Sequence, residues 1–127
     1  MFETDCDVFA PCAVGGLLSR DSIPRLRCRI VAGSANNQLA QPDAAGMLRQ
    51  QGILYAPDYV INAGGAIALV GLEQLGWSTP ELDAALARIG DTLTTIYERA
   101  DTQRTSTAAA ADQLAEDRLA APREGSR

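Results

Sequence analysis

The chain has 127 residues, of which 46% are hydrophobic and 21% charged, and its net charge is −5. This composition is that of one globular domain or a piece of one, and the negative charge argues against a nucleic-acid or anionic-membrane partner. No apolar stretch is long enough to span a bilayer, and the acidic start at residues 2–5 does not resemble a signal peptide, so we expect a cytoplasmic protein.

Two chemically important residue types are missing from the sequence. It contains no histidine, and all 11 basic residues are arginine, so it contains no lysine either. Histidine is the commonest general base and metal ligand, and lysine can act as a base when burial lowers its pKa, whereas arginine stays protonated. The three cysteines have no CxxC spacing. We therefore expect no metal site and no disulfide framework, and we expect all three cysteines to be small buried side chains.

The first half of the chain alternates short apolar runs with breakers. Residues 7–10, 29–32 and 53–56 are predicted strands, stopped by Pro11, Gly33 and Pro57 respectively. A short helix is predicted at residues 42–51, with a glycine stop after it. Strand, helix and strand at this spacing predict a βαβ unit, and hence an α/β fold with a parallel sheet.

The second half is predicted to be helical. Residues 66–72 follow a glycine pair and are apolar on every side, so we expect them to be buried or to line a pocket. A long helix is predicted to start at residues 78–81, which offer a hydroxyl cap, a proline in the first turn and an acid. Its apolar stripe consists of Leu82, Leu86, Ile89, Leu93, Ile96 and Ala100. Thr107 is predicted to cap a last helix that ends near residue 119, and residues 122–127 are predicted to be a frayed tail.

Three longer segments carry a resemblance to a known family. Residues 6–16 read CDVFAPCAVGG, residues 31–40 read VAGSANNQLA, and residues 52–65 read GILYAPDYVINAGG. In this order they closely resemble the cofactor domain of the leucine, phenylalanine and valine dehydrogenases, within the Glu/Leu/Phe/Val dehydrogenase family. The resemblance extends over residues 4–119, which correspond to roughly the last third of a family member.

The resemblance implies both a fold and a reaction. Residues 1–76 would form the second mononucleotide half of a Rossmann-like NAD(P)-binding domain together with a helix at the cleft, and residues 77–121 would form C-terminal helices packed on it. Family members oxidise an L-amino acid to its 2-oxo acid and ammonia and pass a hydride to NAD. A small amino acid or 2-oxo acid is thus the implied partner, with assembly as a homo-oligomer or with a missing N-terminal part.

The resemblance also assigns residues to the cofactor site. From the residues alone, Pro11 would simply stop a strand and the asparagine pair would form a turn. By resemblance, the residues that lie beside the riboses and the nicotinamide are Pro11, Cys12, Ala13, Asn36, Asn37 and Asn62. An amide suits this position because it both donates and accepts hydrogen bonds without adding charge. Asn37 is favoured over Asn36, since the family places the second asparagine nearer to the substrate carboxylate.

Substrate contacts are predicted for Asn37, Ala66 and Leu69. Ala66 and Leu69 lie three residues apart and therefore share a helix face. The small Ala66 would leave room for a large substrate side chain, which favours the phenylalanine-dehydrogenase-like branch. The alternative is that both residues only pack.

The sequence also departs from what the family's chemistry requires. The family uses two lysines and a glycine-rich phosphate loop, and this chain has no lysine and no GxGxxG. We therefore predict no catalytic residue in the chain, and by itself no activity, marginal stability and weak or absent NAD binding. Neither Val8-Phe9 nor Ile30-Val31 is protected as an exposed strand edge would be. Asp58 and Glu73 are interpreted as lone carboxylates in solvated or capping positions. The alternative function is a non-catalytic nucleotide-binding or docking module that partners a full-length paralogue.

Overall fold

The computed structural model describes residues 2–121, so the predicted frayed tail at residues 122–127 lies outside the described part of the chain. The first half contains strands β1 (Val8–Phe9), β2 (Ile30–Val31) and β3 (Leu54–Tyr55), with helix α1 (Ala44–Gln50) between the last two. The strands form one parallel sheet in the order β1-β2-β3. The predicted α/β fold with parallel strands is confirmed. The strands are shorter than predicted because regular pairing ends before each proline or glycine stop.

The sheet and α1 enclose the first hydrophobic core. Leu48 on α1 and Val31 on β2 are completely buried, and Tyr55 on β3 is nearly so. The connection between β1 and β2 also contributes to this core, because Leu18 and Ile23 are completely buried. These apolar side chains fix the strands in register and hold their carboxyl ends at one edge of the sheet.

The two outer strands of the sheet differ in how their edges are covered. β1 pairs with β2 on one side, and within residues 2–121 no strand pairs with its other side, where Val8 is 48% exposed. At β3, the Thr107 hydroxyl donates a hydrogen bond to the Tyr55 carbonyl oxygen at 2.7 Å. The unprotected Ile30-Val31 does not lie at an edge, because β2 is the central strand and both of its sides are paired.

Helices α2 (Asp58–Ile61) and α3 (Gly64–Leu69) follow the sheet, and α3 continues as a π-helical turn, Val70–Gln74. The expectation that residues 66–72 are buried is wrong for the outer side of the helix, whereas the alternative, that they line a pocket, holds at Ala66. Leu69, Leu72 and Leu75 are all about half exposed, because the inner side of α3 packs on a later helix while no described element covers its outer side. The Trp77 ring lies against Gly71, where any side chain would collide with it.

Two long helices complete the chain: α4 (Thr79–Gln103) and α5 (Thr107–Ala120). As predicted, Ser78 precedes α4, and its backbone N–H donates to the Glu81 carboxylate at 2.8 Å. The apolar stripe of α4 is buried only at Ile96 and Ala100, which pack on Ala110 and Ala111 of α5. The predicted cap at Thr107 is wrong, because the Ser106 hydroxyl oxygen accepts the capping bond from Ala109 N–H. None of the helices within residues 2–121 has the length and apolarity needed to cross a membrane.

Candidate functional site

The segments that follow the three strands meet at the carboxyl edge of the sheet. Parallel strands place their carboxyl ends side by side, and in open α/β sheets this is where ligands bind. The Ala35 N–H, beyond β2, donates to the Pro11 carbonyl oxygen, beyond β1, at 2.9 Å. The Asn62 side chain, beyond β3, donates to the Asn36 side-chain oxygen at 2.6 Å. The structure therefore brings Pro11, Asn36 and Asn62 together at this edge of the sheet.

Cys12 and Ala13 follow Pro11 and are both exposed at this edge. Hydrogen bonds from Ser34 lower the pKa of the Cys12 thiol. The bond from the Ser34 hydroxyl has the larger effect, and the bond from its backbone N–H has the smaller one. The expectation of three buried cysteines is wrong: Cys6 and Cys12 are exposed and Cys28 is half-buried. Cys12 is exposed because it lies beyond the end of its strand, where the sheet no longer covers it.

The loop that carries the asparagine pair is held along its whole length by backbone hydrogen bonds. Gly16 N–H donates to the Asn37 carbonyl oxygen at 2.7 Å, and Leu18 N–H donates to the Gln38 carbonyl oxygen at 2.9 Å. Asn37 has a φ of 53°, the left-handed conformation that asparagine tolerates better than most residues. At Gly33 a side chain would overlap the backbone of Pro11. Hydrogen bonds from a neighbouring segment thus hold the backbone of the asparagine pair in place.

A buried carboxylate links this loop to α2. Asp58 is only 7% exposed, and its two oxygens accept hydrogen bonds from Gln38 N–H at 2.8 Å and from Tyr59 N–H at 2.7 Å. The interpretation of Asp58 as solvated is wrong, whereas a capping role at the start of α2 agrees with the bond to Tyr59. By joining the loop to the helix that leads to Asn62, Asp58 fixes the spacing between the two asparagine-bearing segments.

Gln38 is the site residue that sequence reasoning missed. It is completely buried, and its side-chain NH₂ donates to the carbonyl oxygens of Gly33 and Ala35 at 2.8 and 2.9 Å. These two bonds close the loop on itself just before the asparagine pair. A polar residue directly after two asparagines was the available signal, but burial of that residue depends on Asp58, which lies 20 positions away.

A cavity of about 540 Å³ opens beside these residues. It is lined by Asn36, Asn37, Asp58, Tyr59, Asn62, Ala63 and Ala66. The structure therefore brings Ala66 to the predicted asparagines. It does not do so for Leu69, which is 54% exposed and does not line this cavity, because three residues of helix advance the chain by about 4.5 Å. The substrate contact of Leu69 stays a prediction.

The chemistry of the cavity is that of binding and orientation. The side-chain amides of Asn36, Asn37 and Asn62 offer neutral donors and acceptors. The Tyr59 hydroxyl donates to the Asp112 carboxylate at 2.7 Å, and burial, followed by that carboxylate, raises the Tyr59 pKa far above its usual value, so it stays protonated. Within residues 2–121 there is no cluster of three or more histidine, cysteine, aspartate or glutamate side chains of the kind that holds a metal ion. The arrangement can hold a ligand through these neutral groups.

Comparison with known proteins extends the likeness beyond the three segments. A profile of the family described as Glutamate/Leucine/Phenylalanine/Valine dehydrogenase matches residues 1–125. The chain is 42% identical to a leucine dehydrogenase from Thermoactinomyces intermedius over 119 residues, which is 94% of this chain and 32% of that protein. It is 46% identical to a valine dehydrogenase from Streptomyces coelicolor over 117 residues, which is 92% of this chain and 32% of that protein.

A solved structure is also similar. The crystal structure of L-tryptophan dehydrogenase from Nostoc punctiforme superposes with a TM-score of 0.88 at 47% sequence identity, over 93% of this chain and 35% of that one. The chain thus spans about a third of the length of the relatives that it matches. The similarity covers both the strand-end loops and the helices that follow them.

Proposed function

The chain belongs to the glutamate/leucine/phenylalanine/valine dehydrogenase family, and from this premise we propose that it forms the cofactor-binding C-terminal part of an NAD-dependent amino-acid dehydrogenase. The proposed reaction is oxidation of a branched-chain or aromatic L-amino acid to its 2-oxo acid and ammonia. One observation carries the proposal: the loops after all three parallel strands converge where Asn62 bonds to Asn36, beside a cavity of about 540 Å³.

The residues at this edge fit one portion of a nicotinamide dinucleotide. Ribose hydroxyls and a carboxamide need neutral groups that both donate and accept hydrogen bonds, and asparagine side chains provide these. Proposed cofactor contacts are Pro11, Cys12, Ala13, Asn36, Asn37 and Asn62. The pyrophosphate needs a glycine-rich turn at a helix start, and the sequence has no GxGxxG. The fit is therefore to the ribose and nicotinamide part alone.

In this proposal the chain orients the reactants and leaves proton transfer to other groups. Bound NAD would accept the hydride from the amino acid. The Asn37 amide would hold the nicotinamide ribose and the substrate carboxylate, and the hydrogen bond from Gly16 to the Asn37 carbonyl oxygen holds the left-handed backbone from which that side chain extends. Ala66 would leave space for the substrate side chain, and the contact with Leu69, which does not line this cavity, would be made by substrate atoms outside it. Such positioning accelerates reactions because the reactants lose less entropy on the way to the transition state.

The remaining parts of the proposal concern what lies outside these contacts. We assign residues 1–76 to the cofactor half-domain and residues 77–121 to the helices that pack on it. The lysine-dependent proton chemistry and the phosphate loop would come from polypeptide equivalent to the other two thirds of a relative. By itself the chain would be inactive and would bind NAD weakly. We further propose a cytoplasmic location and assembly either as a homo-oligomer or with that complementary polypeptide.

A chimera tests this function. The matching third of the Nostoc punctiforme L-tryptophan dehydrogenase would be replaced by this chain, and reduction of NAD would be followed with tryptophan, phenylalanine, leucine and valine. We expect activity. The preferred amino acid would indicate how large a substrate side chain the cavity beside Ala66 accepts. Substituting Asn37→Ala in the chimera should lower kcat/KM by about tenfold or more, through loss of a hydrogen bond made to the reactants.

The matched control is Gln113→Ala, an exposed polar residue on α5, which should leave kcat/KM within about twofold. A folded chimera that shows no activity with any of the four amino acids would refute the dehydrogenase role. The chain alone should bind NAD with a Kd of about 1 mM or weaker. Micromolar binding by the chain alone would instead favour the non-catalytic nucleotide-binding module.

A further inference from the structure

Two cysteines lie next to each other at the end of the sheet opposite the cofactor edge. Cys6 comes two residues before β1, and Cys28 comes two residues before β2. Both are free thiols; Cys6 is exposed and Cys28 is half-buried. The third cysteine, Cys12, lies at the other end of β1 against Ser34. It therefore serves as an internal control for the oxidation of Cys6 and Cys28.

The strand register places these two cysteines opposite each other. Val8 pairs with Ile30 and Phe9 pairs with Val31, and the same offset sets Cys6 against Cys28. The pairing continues beyond the strand ends, because the Cys6 N–H donates to the carbonyl oxygen of Arg27, directly before Cys28, at 3.1 Å. Neighbouring strands are about 4.8 Å apart, and disulfides bridge Cα atoms about 4.4–6.8 Å apart. The backbone therefore already has the separation that a disulfide needs.

The proximity of Cys6 also affects the pKa of the Cys28 thiol. Burial is the first cause that raises the pKa of Cys28, and the neighbouring Cys6 is the second. Cys28 packs on the first hydrophobic core near Phe9, whereas Cys6 is open to solvent. A soluble oxidant can therefore reach Cys6 directly, while Cys28 is placed to react second.

We propose that Cys6 and Cys28 form a reversible disulfide that links β1 to β2, with a small disulfide such as oxidised glutathione as the oxidant. The Cys6 thiolate attacks one glutathione sulfur, which breaks the glutathione disulfide and releases one glutathione thiolate. The Cys28 thiolate then attacks the Cys6 sulfur and releases the second glutathione. The protein loses two electrons and its two thiol protons, and two molecules of reduced glutathione are formed.

The bond would act on the least supported strand of the sheet. Within residues 2–121, β1 is paired on one side only, and its carboxyl end carries Pro11 and Cys12. A covalent link at the other end of β1 would tie this strand to β2. It would stabilise the folded chain, because it removes conformational freedom from the unfolded chain. Oxidation would thus stabilise the strand that ends at the proposed cofactor site, whether or not the proposed dehydrogenase role holds.

The test is oxidation of the full chain with oxidised glutathione, followed by cleavage before aspartate. This cleavage separates the three cysteines, because Cys6 falls in residues 5–6, Cys12 in residues 7–20 and Cys28 in residues 21–42. We expect an intact mass lower by about 2 Da, one remaining free thiol, and a linked pair of peptides 5–6 and 21–42. The oxidised chain should also melt at least about 5 °C higher than the reduced chain.

Matched variants make the outcome decisive. C6S and C28S should each abolish the mass loss and the shift in melting temperature, whereas C12S should preserve both. Repeating the oxidation in concentrated urea should yield mixed pairings, because the native register no longer selects Cys28. The proposal is overturned if Cys6 remains glutathionylated, if Cys12 is the preferred partner, or if the native and urea-treated chains give the same pairings.

Discussion

The sheet with α1 and the apolar segment at residues 64–75 contain similar residues but bury them very differently. In the first region Leu18, Ile23 and Leu48 are completely buried. In the second, Leu69, Leu72 and Leu75 are between 48% and 59% exposed. Apolar composition alone therefore does not decide burial within this chain. The deciding factor is whether a second layer of structure lies over the apolar face.

The two regions differ in whether their side chains find partners within residues 2–121. Around the sheet, Asp58 accepts two backbone hydrogen bonds and Gln38 donates three, although within residues 2–121 the buried side-chain oxygen of Gln38 accepts none. The exposed apolar segment has the composition of a buried surface, and it lies beside the cavity that Ala66 lines. The chain spans about a third of its relatives' length. In our proposal, polypeptide equivalent to the other two thirds covers the exposed apolar segment.

The largest expected effect tests the core directly. Leu48→Ala should lower the free energy of unfolding by about 2–5 kcal/mol, or unfold the chain outright, because it leaves a cavity under the sheet. Leu72→Ala makes the same chemical change at an exposed position and should cost less than about 1 kcal/mol. Urea unfolding followed by circular dichroism measures both. Equal losses would show that the two regions do not differ as described.

A smaller effect is expected from the buried carboxylate. Asp58→Asn should lower the free energy of unfolding by about 1–3 kcal/mol, because the new amide turns an NH₂ group towards one of two backbone N–H donors. Hydrogen exchange should increase first at Gln38 and Tyr59. The matched change Glu73→Gln, at an exposed carboxylate, should stay within about 0.5 kcal/mol. If Asp58→Asn is as mild as Glu73→Gln, then the link between the loop and α2 does not stabilise the fold.

The smallest effect on stability is predicted for the exposed apolar segment. The double substitution Leu69→Gln and Leu75→Gln should leave the unfolding midpoint nearly unchanged, while binding of an apolar fluorescent dye and aggregation should both fall. Leu119→Gln, at a position that is 85% exposed and outside this segment, is the control and should change neither property clearly. A large loss of stability in the double variant would mean that these leucines pack within the chain after all.

Much of the fold could be predicted from local signals. The strands at Val8–Phe9, Ile30–Val31 and Leu54–Tyr55 lie within the predicted runs, since each run is apolar and ends at a proline or glycine. The start of α4 at Ser78 was equally readable, because capping depends on residues three positions apart. Thr107 shows the limit of such signals: two neighbouring hydroxyls could cap α5, and the bond from Thr107 to Tyr55 leaves that position to Ser106.

The candidate site, like the fold, could be predicted only in part from the sequence. The sequence by itself determined the parallel strands, the strand-end positions of Pro11, Asn36 and Asn62, and the family, because these depend on residue order and local patterns. Only the tertiary structure decided that Asp58 is buried, that Gln38 closes the asparagine loop, that Leu69 lies away from the cavity, and that Cys6 faces Cys28. The physical reason is that these positions depend on contacts between distant segments, such as Asp58 with Gln38, 20 residues apart, and β1 with β2, which no local pattern encodes.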